Sequence, residues 1–115
     1  MKSAVVIKVN DLAICEKFYR DVLLLGTPEL SSSFEVIFSL AEKSDLYLVK
    51  TTAEFLEHGS SASSWFFATG DMAGLEERLE NAGYPLLKET FHLGCHACRR
   101  GTDPEGNQFF VMEEK

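Results

Sequence analysis

His92-Leu93-Gly94-Cys95-His96-Ala97-Cys98-Arg99-Arg100 brings together more side chains capable of chemistry than any other stretch of the chain. Cys-x-x-Cys with neighbouring histidines offers soft donors for zinc or a dithiol for redox exchange. A structural zinc site normally needs two ligand pairs, and the only other cysteine is Cys15, far away in sequence. A thioredoxin-type pair opens a helix, and no helical pattern follows this one. If residues 95–100 form a strand, Cys95 and Cys98 point to opposite faces, which suits neither chelation nor a disulfide. Structural or incidental thiols are therefore favoured over metal or redox chemistry. On such a strand His96, Cys98 and Arg100 share one face, and Cys95, Ala97 and Arg99 the other. Two roles are open to an arginine there: gripping a carboxylate or other anion bidentately, or standing solvated at a rim. No Ser-His-Asp order, phosphate-cradling glycine loop or paired-carboxylate spacing stands out elsewhere, and His58 falls in a polar, exposed-looking linker.

The elements that must position these residues belong to a chain of 115 residues, the size of a single domain with a real core. Apolar residues make up 45% and charged residues 25%, an ordinary globular composition. Eleven basic against 18 acidic residues leave a net charge of −7, which would repel a phosphate backbone or an acidic membrane surface. No nucleic-acid or membrane partner is expected. No apolar run approaches the roughly 20 residues that span a bilayer, and the apolar run Ala4–Ile7 is too short for a signal-peptide core. Three cysteines cannot all pair within one chain, so a reducing, cytoplasmic location is expected.

Hydrophobic periodicity gives the order of elements. Val5, Ile7 and Val9 alternate as a half-buried strand. Asn10 or Asp11 can cap a helix whose apolar face is Leu12, Cys15, Tyr19, Val22 and Leu23, ended by Gly26 and Pro28. A weak strand near 28–32 is followed by strands at 33–40 and 45–50, joined through Ala41-Glu42-Lys43-Ser44. Residues 51–63 are polar and small, a crossover with at most one helical turn at 53–57. The pattern then restarts: a strand at 64–69, a helix opened by Gly70-Asp71-Met72-Ala73 with Met72, Leu75 and Leu79 on one face, and strands near 85–89, 95–100 and 108–112. The last two are joined by Asp103-Pro104-Glu105-Gly106-Asn107, which has strong turn chemistry. Asn10-Asp11-Leu12-Ala13 and Gly70-Asp71-Met72-Ala73 occupy matching places sixty residues apart. Strand–helix–three-strand order in both halves implies an α+β fold of two βαβββ modules, module one at about 1–55, a linker at about 56–63 and module two at about 64–115.

Val9-Asn10-Asp11-Leu12 followed by Phe18-Tyr19-Arg20-Asp21-Val22-Leu23 resembles the first-helix signature of the vicinal-oxygen-chelate superfamily, the glyoxalase/bleomycin-resistance/extradiol-dioxygenase group. Asp103-Pro104-Glu105-Gly106-Asn107 is similar to that family's turn before the last strand. The resemblance spans nearly the whole chain, and both motifs read as caps and turns rather than chemistry. It implies a cup-shaped sheet in which four inward positions supply metal ligands, usually His, Glu or Gln, in the metalloenzyme members. Aligned strand by strand, those positions are Ala4, a residue near Tyr47, Ser64 and Phe110. A methyl, a phenol, a hydroxyl and a phenyl ring do not hold a divalent cation. The nearest carboxylates do not repair the set, since Glu113 points to the other face from Phe110 and Asp45 stands alone. No metal and no other cofactor is expected.

The same alternation lines the implied cup with Ala4, Val6 and Lys8, with Tyr47 and Val49, with Ser64, Phe66 and Ala68, and with Gln108, Phe110 and Met112. The candidate ligand-binding residues are Tyr47, Ser64, Phe66, Gln108, Phe110, Met112 and Arg100; no catalytic residue is assigned. The alternative is that these bulky side chains simply fill the cup. Three functions remain in play. The first is a metal-free protein that binds an unknown small apolar or aromatic molecule. The second is a lyase, isomerase or dioxygenase of the same fold with ligands relocated to His92, Cys95, His96 and Cys98. The third is a degenerate member with only a dimerising or protein-contact role. The family resemblance also implies a homodimer, and the serines at 60–64 would permit exchange of modules.

Overall fold

Residues 3–51 and 64–114 are described by a computed structural model. They divide into two compact units, Met1–Ser63 and Ser64–Lys115. The expected turn at 53–57, His58 and most of the serine-rich linker lie outside the described residues.

In the first unit strand β1 (Ser3–Val9) leads into helix α1 (Leu12–Lys17), which continues as a π-helical turn over Phe18–Val22. Strands β2 (Leu30–Ser31), β3 (Glu35–Ala41) and β4 (Ser44–Lys50) follow. The sheet order is β1-β4-β3-β2, with β1 and β4 parallel and the other pairs antiparallel. Asp11 is the helix cap, its Oδ1 accepting from the Ile14 N–H at 3.2 Å. Period-two alternation sends Ile7 and Val9, Val36 and Phe38, and Leu46 and Leu48 to one face, where all six are buried with Leu12, Cys15, Phe18, Tyr19 and Leu23.

An unbroken α-helix is the simplest reading of residues 12–23, but the structure widens it to i→i+5 bonding, with the Leu23 N–H donating to the Phe18 carbonyl at 3.1 Å. The wider turn lets two consecutive residues, Phe18 and Tyr19, both reach the core, and their rings meet edge to face at 5.4 Å. Tyr19 also lies 6.5 Å from the Phe38 ring of β3. The turn ends at Leu24, a non-glycine residue with φ 58°.

The second unit repeats the plan. Strand β5 (Ser64–Thr69) precedes helix α2 (Met72–Ala82) and strands β6 (Thr90–Leu93), β7 (His96–Thr102) and β8 (Gln108–Glu113). The order is β5-β8-β7-β6, again with first and last strands parallel. Asp71 caps α2 by accepting from the Gly74 N–H at 3.0 Å, and Gly83, with φ 91°, ends it in the left-handed conformation. Trp65, Leu75, Leu79, Leu86, Phe109 and Val111 are buried. Phe109 lies across Gly101 of β7, where a Cβ would collide with the Phe109 ring and stand 2.9 Å from Leu86 Cδ2.

Two strand expectations shift. The strand expected at 85–89 is at 90–93, and the one expected at 95–100 begins at His96 and runs to Thr102. Gly94 (φ 64°) and Cys95 form a two-residue hairpin turn, and that turn sets Leu93 opposite His96 and Phe91 opposite Cys98. Residues 85–89 then lie beyond the ladder, tied to β7 where the Leu87 N–H donates to the Arg100 carbonyl at 2.9 Å. The Asp-Pro-Glu-Gly-Asn segment is the turn expected. The buried Asp103 carboxylate accepts from the Glu105 and Asn107 N–H groups at 2.8 and 2.9 Å and from Asn107 Nδ2 at 3.0 Å.

Two substitutions test these backbone arguments by urea denaturation. Gly101→Ala is expected to destabilise by about 1–3 kcal/mol, because Phe109 and Leu86 must move to admit a methyl group. Leu24→Gly is expected to stabilise by up to about 1 kcal/mol. Relief of the left-handed strain outweighs the added unfolded-chain freedom, and a side chain that is 59% exposed loses little burial. A midpoint that falls for Leu24→Gly would contradict the strain argument.

Candidate functional site

Because the helix side of the second sheet takes Trp65, Phe109 and Val111, the alternate residues must point the other way. The register groups them in rows: Phe66 beside Phe110 beside Arg100, and Ser64 beside Gln108 beside Thr102. Met112 lies two residues along from Phe110 on this face, and Phe91 is brought to it opposite Cys98. Six of the seven candidate ligand-binding residues, Ser64, Phe66, Gln108, Phe110, Met112 and Arg100, therefore share one face. Tyr47, the seventh, belongs to the first unit.

This face is aromatic and partly open. Phe66 is 43% exposed, with its ring 6.3 Å from His96; Phe91 and Phe110 meet edge to face at 6.2 Å. The Arg100 guanidinium carbon stands 5.0 Å above the Phe91 ring, a cation–π arrangement. The neighbouring arginine is used differently. Arg99 points to the helix side, donating to Glu76 at 2.7 Å and to the Leu87 carbonyl at 2.8 Å. Beside Arg100 is a cleft of about 220 Å³ lined by Pro85, Leu87, Arg100, Gly101, Thr102 and Gln108. Sequence reasoning anticipated Arg100 and Gln108 here but missed Phe91, Thr102, Pro85 and Leu87. Counting back from the Gly94-Cys95 turn would have found Phe91. No local pattern reveals Pro85 and Leu87, which reach the cleft only because their segment leaves the ladder.

In the first unit the corresponding face carries a row of Val6, Tyr47, Ile37 and Leu30. Ala4, Asp45 and Ser39 form the next row, and Lys8, Val49 and Glu35 the one beyond Tyr47. Asp45 is 4% exposed.

The family-derived metal positions can be tested within each unit. Ala4 and Tyr47 are diagonal neighbours on one face of the first sheet, and Ser64 and Phe110 are diagonal neighbours on one face of the second. Their side chains do not fit a divalent metal, which needs several carboxylate, imidazole or thiolate donors at once. The relocated set does not converge either. His92 shares a face with Ala97, His96 shares the opposite one with Cys98, and Cys95 is exposed in the turn. Among the described residues no three His, Cys, Asp or Glu side chains are grouped to hold a metal ion. Cys15, Cys95 and Cys98 form no disulfide among the described residues, and the first and last are buried. No helix among the described residues is long and apolar enough to cross a membrane.

The sequence matches no protein-family model and no curated protein. Solved structures, by contrast, match over the full chain. Lactoylglutathione lyase from Agrobacterium tumefaciens is 22% identical with a TM-score of 0.71, covering 98% of this chain and 92% of that one. A glyoxalase/bleomycin resistance protein from Catenulispora acidiphila is 19% identical at a TM-score of 0.68, covering 100% and 99%. The oxidase ChaP-H2 is 13% identical at a TM-score of 0.76, covering 100% and 94%. A lyase and an oxidase on one scaffold show that the fold does not choose the chemistry. With strand–helix–three-strand order in both units and this likeness along its length, the chain has the fold of the glyoxalase/bleomycin-resistance proteins.

Proposed function

We propose that the protein binds a small apolar or aromatic molecule without the help of a metal, in the manner of a sequestering protein rather than an enzyme. The observation that carries this reading is the face of the second sheet remote from α2. There Phe66, Phe91 and Phe110 are left partly open beside the polar groups of Arg100, Gln108 and Ser64. A residue serving only as core would be sealed, as Phe109 is. Apolar walls with a few placed polar groups are what a small-molecule site needs. The side chains at Ala4, Tyr47, Ser64 and Phe110 support independence from metal, because together they offer no carboxylate, imidazole or thiolate donor. The scattered placement of His92, Cys95, His96 and Cys98 gives no support to a relocated centre.

Calorimetric titration with a panel of single-ring aromatic compounds tests the reading, with metal content measured on the same preparation. At least one compound is expected to bind at one per chain with the metal content well below stoichiometric. Phe110→Ala should weaken that binding by roughly tenfold, the worth of one aromatic contact of about 1.4 kcal/mol. Phe110→Leu, which keeps most of the apolar bulk, should bind better than Phe110→Ala. Stoichiometric Zn, Ni, Fe or Mn, or a panel with no binder, would overturn the proposal.

A further inference from the structure

We infer that the cleft beside Arg100 is a carboxylate-binding subsite, so that the molecule taken by this face is a compact monocarboxylate with an apolar or single-ring body. The inference rests on the reading of this face as a ligand site and adds the charge and size of what it accepts.

Arg100 is half-buried, yet its guanidinium has no hydrogen bond and no ion pair among the described residues; its recorded contact is with the Phe91 ring. In a chain with 18 acidic and 11 basic residues, carboxylates to neutralise it are not scarce. Arg99, one residue away, has taken Glu76 and a backbone carbonyl. The sheet alternation that gives Arg99 to the helix side holds Arg100 away from those partners. The ring beneath Arg100 restricts its motion, so less freedom is lost when its planar fork meets a carboxylate.

The surroundings complete the recognition. Thr102 and Gln108 stand opposite one another on the face that carries Arg100, and both line the cleft with it. Their hydroxyl and amide groups can donate to a carboxylate oxygen. Pro85 and Leu87 supply apolar wall, and Leu87 is 42% exposed, a large hydrophobic side chain left for something else to cover. The volume of about 220 Å³ exceeds the ~150 Å³ of an apolar cavity that holds benzene. One ring with a carboxylate fits. The net charge of −7 works against anions at long range, but this repulsion is screened beyond about 10 Å at 0.1 M salt and does not reach the contact itself.

Benzoate is the probe, compared with benzamide, its neutral isostere, and with acetate, which keeps the carboxylate and loses the ring. Binding is read by calorimetry and by amide chemical shifts at residues 86, 87, 100–102 and 108. The wild-type protein should bind benzoate at least about tenfold more tightly than benzamide, as hydrogen bonds to a charged group require, and more tightly than acetate by a similar factor. Arg100→Gln should weaken benzoate far more than benzamide and so abolish the preference, and Arg100→Lys should retain only part of it. Preserved amide spectra away from the cleft show that the variants fold. Phe91→Leu should weaken benzoate a few-fold by removing the ring that orients the guanidinium. Equal affinities for benzoate and benzamide, or a preference that survives in Arg100→Gln, would overturn the inference and leave the proposed binding function standing. Absence of binding by every single-ring compound, charged or neutral, would bring down both.

Discussion

Each four-stranded sheet packs one face beneath its helix, and the placement of the remaining strand side chains follows from that packing. A strand turns alternate side chains to opposite faces. Once Ile7, Val9, Leu46 and Leu48 lie beneath α1, the side chains of Val6, Tyr47 and Val49 have to stand on the other side. The same necessity in the second unit drives Trp65, Phe109 and Val111 inward and leaves Phe66, Phe110 and Arg100 outward. A register slip of one residue would bury Arg100 under α2 and expose Phe109. The candidate site is thus the complement of the core, written by the same alternation.

Short-range devices hold that alternation in place. Asp11 and Asp71 start the two helices at equivalent positions, each accepting an N–H three residues on, so that each helix lies over its sheet from its first turn. The buried Asp103 carboxylate gathers three donors within its own turn, which fixes where β7 ends and β8 begins, and with them the opposition of Arg100 and Phe110. Gly101 lets Phe109 cross β7 at a distance no side chain would allow. Its outward neighbours, Arg100 and Thr102, are the two β7 side chains in the cleft. Core packing and the lining of the cleft therefore meet on three consecutive residues.

This fold carries different reactions in its known members, so the chemistry of a given chain must be read from its own side chains. Here the positions that resemblance assigns to metal ligands hold a methyl, a phenol, a hydroxyl and a phenyl ring. Cys95 and Cys98, the most conspicuous reactive pair in the sequence, are parted by the hairpin into an exposed turn residue and a buried strand residue. The open face of the second sheet carries the Arg100 guanidinium, the Gln108 amide and the Ser64 and Thr102 hydroxyls, with His96 beside Phe66.

The amino-acid sequence by itself determined the order of elements, where the two helices begin, the Asp103 turn and the face on which Phe66, Phe110 and Gln108 would stand. All of these are settled within a few residues by backbone chemistry or by a period of two. It did not reveal the π-helical widening at Phe18–Val22, because that depends on both rings reaching the core, Tyr19 beside Phe38 of a later strand. Nor did it reveal the displacement of β6, which follows from pairing set at the Gly94-Cys95 turn rather than from the apolar content of 85–89. Only the tertiary structure decided which of two adjacent arginines is neutralised. Glu76 lies 23 residues from Arg99, and their meeting required a helix folded over a sheet. The same long-range packing brought Pro85 and Leu87 beside Arg100, and so made a cleft that no local pattern contains.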